Sequence, residues 1–399
     1  MSPITTYWII LAAGTVLSAG LFIFFARLGK YSILRAGLGF LAGIPLAWLF
    51  AKLFFVIFSS EVSQGGNAWL SLKPEEFSFV AGCIGFCLGP VLLFIDRRKE
   101  IPGMLDQLAL PGCLLAGAFR FGEIYLAVSE TQSTVGLMKL FLFFESKKSD
   151  RVFYQLLHDR FPWSAEFVRE GKKAQLYLMP SVSTPVALLI LGIAIYIGVL
   201  WWLSRRKNTG LGKGMVFERC VFLLCAFRIF WEMFNARLKF FFVPLDQALC
   251  ALIIIALVTG TALRHKKATG HFPVWPFVSM LHCFVINAAS QFFMDGKNYL
   301  LADELIRTFT VPLTYDRAEN PQGILQGAYS VMVLGDAIIL ITCIVLIVAF
   351  GILCLKVTGA NRRAVREPGS LPPEEAVPEA AVQAEENRQG EDNIPCADC

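Results

Sequence analysis

Four ionisable residues stand where a hydrophobic chain accommodates charge least easily. Arg120 and Glu123 lie in Phe119-Arg120-Phe121-Gly122-Glu123-Ile124-Tyr125, and Arg228 and Glu232 in Phe227-Arg228-Ile229-Phe230-Trp231-Glu232. Spacings of three and four residues put each arginine and its carboxylate on one helical face. Two arginines converging from different helices would make an anion site suited to phosphate, because the guanidinium fork binds phosphate oxygens bidentately. The same spacing also allows a plainer arrangement, in which each pair neutralises itself and holds helices together without chemistry. Glu123 and Glu232 therefore stand either as charge partners or as proton acceptors. Lys52, Asp106, Gln107, Asp246 and Gln247 are further polar groups in apolar surroundings. Lys52 lies close enough to the end of its run for its stem to snorkel.

The elements that carry these residues are membrane helices by composition. Of 399 residues, 56% are apolar and 17% charged, against about a quarter charged in a soluble domain, and mean hydropathy is +0.59. A hydrocarbon core of about 30 Å needs about 20 helical residues. Nine apolar runs approach that length, at residues 7–26, 33–58, 77–95, 105–127, 186–203, 215–234, 243–263, 272–294 and 329–355. The expected fold is an all-α polytopic membrane protein of about nine spans. The run at 272–294 is the most interrupted, by Pro273, Pro276, His282, Asn287 and Gln291, and a re-entrant segment is its alternative.

Basic residues follow every odd-numbered run: Arg27 and Lys30, Arg97 to Lys99, Arg205 to Lys207, and Arg264 to Lys267, with Arg362 and Arg363 after the last. The excess of Lys and Arg on cytoplasmic loops places the N-terminus outside and the C-terminal tail inside. An even number of crossings must then separate Lys267 from Lys356, which makes 272–294 a span. No cleavable signal peptide is expected, since Met1–Tyr7 lacks a basic region. The outward segments 128–185 and 295–328 are long, and the first is basic and aromatic-rich, suited to anionic headgroups or to a solvated cap. Residues 364–399 hold nine acidic and two basic residues, a composition that predicts disorder. Cys396 and Cys399 at its end form too sparse a motif for a metal or redox site. The other nine cysteines fall in the runs and read as small buried hydrophobes, not disulfides.

The order of motifs resembles the bacterial prolipoprotein diacylglyceryl transferases over about residues 7–264. The likeness rests on Ala51-Lys52-Leu53, Ser78-Phe79-Val80-Ala81-Gly82, Asp106, Arg120-Phe121-Gly122, Met179-Pro180-Ser181, Phe227 to Glu232, and Asp246-Gln247-Ala248-Leu249. It implies a seven-helix core at 1–264, with two added spans at 265–360 and the acidic tail at 361–399. It also implies a transferase of a bacterial plasma membrane that moves a diacylglyceryl group from phosphatidylglycerol to a lipoprotein-precursor thiol. No cofactor, metal or nucleic acid is expected. Arg120, Gly122, Arg228 and Gln247 would hold the lipid phosphate, and Arg120, Arg228, Glu123 and Glu232 would serve catalysis, including a base for a thiol whose free pKa is about 8.5.

Family enzymes carry histidine at the position of Val80, His-Pro-x-Gln-x-Tyr-Glu at Met179–Pro185, asparagine at Glu123 and arginine at Asn235. Glu123, Tyr125, Glu130 or His158 could then supply the base. The alternative is a non-catalytic relative that binds anionic lipid or a membrane partner.

Overall fold

The computed structural model describes residues 3–58, 77–127, 165–170, 173–178, 180–206, 209–231, 239–240, 243–294 and 321–366. Nine α-helices occur among them: α1 (Pro3–Leu28), α2 (Ile33–Phe58), α3 (Phe79–Leu93), α4 (Ile101–Ala127), α5 (Pro180–Ser204), α6 (Met215–Trp231), α7 (Leu245–Thr269), α8 (Trp275–Met294) and α9 (Pro321–Arg366). Two antiparallel ribbons sit in connecting segments, β1 (Ala165–Glu170) with β2 (Lys173–Leu178), and β3 (Lys239–Phe240) with β4 (Val243–Pro244). The all-α expectation therefore holds for the long elements, while the ribbons were not foreseen. Residues 59–76, 128–164 and 295–320 and the acidic tail from 367, which the sequence reading made outward segments and a disordered end, lie outside the described residues.

Five of the helices, within α1, α2, α4, α7 and α9, are long and apolar enough to cross a membrane. Two shorter apolar helices, Phe79–Leu93 and Leu189–Ser204, accompany them. Large apolar side chains face outward on these elements, among them Val16 at 74% and Leu34 at 71% exposure. An outer surface this apolar is intolerable in water and suits lipid.

α2 and α3 approach closely because glycines meet on both faces. A Cβ on Gly39 would stand 2.8 Å from Pro90 Cα and one on Gly43 2.7 Å from the Phe86 carbonyl oxygen, with Gly85 and Gly89 answering from α3. Small residues four apart are what let apolar helices pack backbone to backbone in lipid. α1 and α2 join α3 and α4 through a cluster of Phe22, Phe40, Phe86, Phe94, Met104 and Leu108.

Helices α8 and α9 pack against α6 and α7 through an apolar cluster that includes Phe222, Ile254, Met280 and Leu353. Phe222 and Phe350 stack at 3.8 Å. α8 begins past Pro273 with Pro276 in its first turn, where a missing N–H costs no helical bond. α9 extends beyond the apolar run at both ends, because helical hydrogen bonding continues through its polar flanks.

Of the nine cysteines of the runs, seven are buried, whereas Cys83 is exposed and Cys87 half-buried on α3, and all nine are reduced. Cys83 thus departs from the expectation of burial.

Candidate functional site

Arg228 and Asp246 meet where α6 ends and α7 begins. Arg228, only 8% exposed, donates from Nη2 to Asp246 Oδ2 at 2.8 Å. The other carboxylate oxygen, Oδ1, accepts from Ser78 Oγ at 2.6 Å. Ser78 is also the N-cap of α3, its oxygen accepting from Ala81 N at 3.3 Å. One hydroxyl thus ties the start of α3 to the carboxylate that grips α6. Gln247, beside Asp246, donates from Nε2 to the Ile229 carbonyl at 2.7 Å and braces α7 against the arginine's own helix.

A second cation lies on the same segment. Lys52 on α2 has no exposed surface, and its Nζ stands 4.2 Å from the centroid of the Phe77 ring. Ser78 N donates to the Ala51 carbonyl at 3.2 Å, so Lys52 and Ser78 are backbone neighbours across α2 and α3. The guanidinium of Arg228 stands 5.2 Å from the Phe79 ring. Lys52 and Arg228 therefore flank the tripeptide Phe77-Ser78-Phe79 through its two rings, and Asp246 is bonded to Arg228. The N-terminal ends of α3 and α7 add positive dipole there. Desolvation makes such a charge set valuable only where hydrogen bonds or an anion complete it.

Arg120 and Glu123 are on α4, and their side chains lie outside the described residues. Phe119 contacts the Phe79 ring at 4.5 Å, the ring that flanks the Arg228 guanidinium. Gly122 is buried, and a Cβ there would stand 2.9 Å from the Tyr7 ring, so its missing side chain makes room for α1. Glu232 falls outside the described residues, as do Met179, Asn235, Tyr125's side chain, Glu130 and His158.

A described partner of Arg228 is Asp246 at the start of α7, while Glu232 lies outside the described residues. One sequence reading changes, that of Lys52. Lys52 does not snorkel: it is enclosed between helices beside Phe77 and Phe55. Val80 is buried in the apolar cluster with Phe222 and Ile254, so that position offers no proton acceptor. Helical spacing could not find the Arg228–Asp246 pair. Depth could: α6 ends and α7 starts on the same side, with one charge near each terminus.

The far ends of these helices are fixed by a separate polar set. Asp106 on α4 accepts from Gly214 N at 2.7 Å, Val216 N at 3.0 Å and Phe217 N at 2.9 Å. It caps α6 from a neighbouring helix, satisfying donors that a helix start leaves open. Gln107 Oε1 accepts from Trp201 Nε1 at 2.8 Å and Arg205 Nη2 at 3.1 Å, and Arg205 Nη1 donates to the Leu28 carbonyl at 2.8 Å. Arg219 Nη2 donates to Thr358 Oγ1 at 2.9 Å, joining α6 to α9. The Asp106 bonds set the register of α4 against the start of α6.

No protein-family model, curated protein or solved structure matches this chain. Among the described residues, no group of three or more His, Cys, Asp or Glu side chains could hold a metal ion.

Proposed function

We propose that the chain is a polytopic protein of a bacterial plasma membrane that binds the phosphate of an anionic phospholipid beside Arg228. In this reading all nine helices are spans, the N-terminus faces outward and the tail is cytoplasmic. The single observation that carries it is the burial of two cations, Lys52 beside Phe77 and Arg228 beside Phe79, on either side of Ser78. Buried cations at the end of a membrane bundle suit a headgroup phosphate, and Arg120 of α4 would add a second guanidinium fork in this reading.

The chemistry that follows is transfer of the diacylglyceryl group to a lipoprotein-precursor cysteine. Glu123 or Glu232 takes the thiol proton, the sulfur attacks the glycerol carbon, and the carbon–oxygen bond to phosphate breaks. The headgroup phosphate leaves with the electron pair, its negative charge held by the arginines. Support comes from the motif order of the sequence and from the Asp106 and Gln247 braces, which hold α4, α6 and α7 in register.

Purified protein supplied with phosphatidylglycerol labelled in its diacylglyceryl part should label a lipobox peptide, and Arg228→Ala should abolish the transfer. The burial of Val80 favours a second reading, in which the same site binds anionic lipid without transferring it. Retained lipid binding with no peptide labelling in wild-type protein would select that reading.

A further inference from the structure

The end of the bundle opposite Arg228 carries a surplus of exposed positive charge. Arg97, Arg98 and Lys99 come from the α3–α4 connection, Lys213 from the α5–α6 connection, and Lys266 and Lys267 from the end of α7, and all are exposed. The carboxylates of this face already have arginines. Asp96 is held by Arg35 at 2.6 Å, Glu100 lies 3.5 Å from Arg97, and Glu218 pairs with Arg264. They therefore do little to offset the remaining cations.

The same face anchors the exit of α9. Asn361 Nδ2 donates to the Gly210 carbonyl at 3.2 Å and Arg362 Nη2 to the Thr209 carbonyl at 3.4 Å. Gly210 has a φ of +74°, and a Cβ there would collide with the Thr358 carbonyl. The left-handed glycine is what lets the loop seat against α9. The chain beyond α9 thus departs from within the basic face. Residues 367–399 carry nine acidic residues and one basic one, Arg388.

We infer that residues 367–399 bind this basic face within the same molecule. A flexible chain of 33 residues would have a root-mean-square span of about 30 Å, comparable with the width of a small helical bundle. Tethering gives the tail a millimolar-scale local concentration, so weak, screened ion pairs suffice. The tail is then the face's resident polyanion, and an acidic partner or an anionic headgroup must displace it.

The test is zero-length carbodiimide coupling of the full chain in neutral detergent, with unlabelled and ¹⁵N-labelled protein mixed. Coupled peptides should join Glu374, Glu379 or Glu386 to Lys99, Lys213 or Lys266, within one isotope population. Their yield should fall several-fold in 1 M salt, where the Debye length is about 3 Å. Replacing Glu374, Glu375, Glu379 and Glu385 by Gln should raise the acylation rate of the three lysines. Absence of such peptides, yields unmoved by salt, coupling only between isotope populations, or unchanged lysine reactivity in the Gln variant would each overturn the inference.

Discussion

Arg228 and Asp246 are 18 residues apart in sequence and 2.8 Å apart in space, and Ser78 holds the far oxygen of the same carboxylate at 2.6 Å. Three helices thus share one buried charge pair. Removing one member takes from the other a buried, charge-assisted bond, a cost of up to about 3–5 kcal/mol. Asp246→Ala and Arg228→Ala should each lower thermal stability in detergent sharply. Arg228→Leu combined with Asp246→Leu should recover most of the loss. A double variant no more stable than the singles would mean that Ser78 and Gln247, not the charge pair, hold this junction.

Asp106 acts at the other end of α6. It accepts three backbone N–H groups, so Asp106→Asn keeps an acceptor but loses the charge that complements the helix dipole. Asp106→Ala loses both. The expected costs are about 0.5–1 kcal/mol and about 2 kcal/mol respectively, read as ordered decreases in melting temperature. Equal melting temperatures for the two variants would show that the charge contributes nothing.

Asp96 lies outside the spans, in the turn between α3 and α4. Its hydrogen bonds from Arg35 Nη1, at 2.7 and 2.6 Å, hold its carboxyl below the usual carboxylate range. A lowered folded value means stability that is present above the unfolded pKa, about 3.9, and is lost as pH falls through the lower folded value. Carbon-13 titration of Asp96 should move up to the ordinary range in Arg35→Gln. An unchanged midpoint would remove Arg35 as the cause.

Topology has a direct readout. Single cysteines at 98, 206 and 363, on a background lacking the native thiols, should react with a membrane-impermeant maleimide only after permeabilisation. Positions 140–175 and 300–325 should react in intact cells. Labelling of 300–325 only after permeabilisation would remove α8 as a crossing and put the tail outside.

The legibility of this chain differs between helices and site. All nine apolar runs contain an α-helix, since twenty apolar residues bounded by charge can satisfy their backbone groups in lipid only within the segment. Residues 33–58 match α2 to the residue. Pattern marked the apolar part of α9 and not its ends, because hydropathy reports lipid depth while helical bonds extend past it. At the site, sequence singled out Arg228 correctly as an enclosed charge. It offered no pairing with Asp246, because helical periodicity sees one helix at a time and Asp246 arrives from the next helix at matching depth. Lys52 misled for a related reason: its stem could have reached the interface, but Phe77 and Ser78 close over it from α3. Asp106 gave no hint of capping α6, because that role depends on where α6 begins beside α4.

The most direct test of the account measures phosphatidylglycerol binding against phosphatidylcholine by native mass spectrometry, in wild-type protein, Arg228→Lys, and the folded double variant Arg228→Leu with Asp246→Leu. The account expects selective binding in wild type. It expects partial loss in Arg228→Lys, which keeps charge without the bidentate fork, and loss of at least tenfold in the double variant, about 1.4 kcal/mol or more. Undiminished phosphatidylglycerol selectivity in a stably folded double variant would contradict the claim that Arg228 forms a phosphate site.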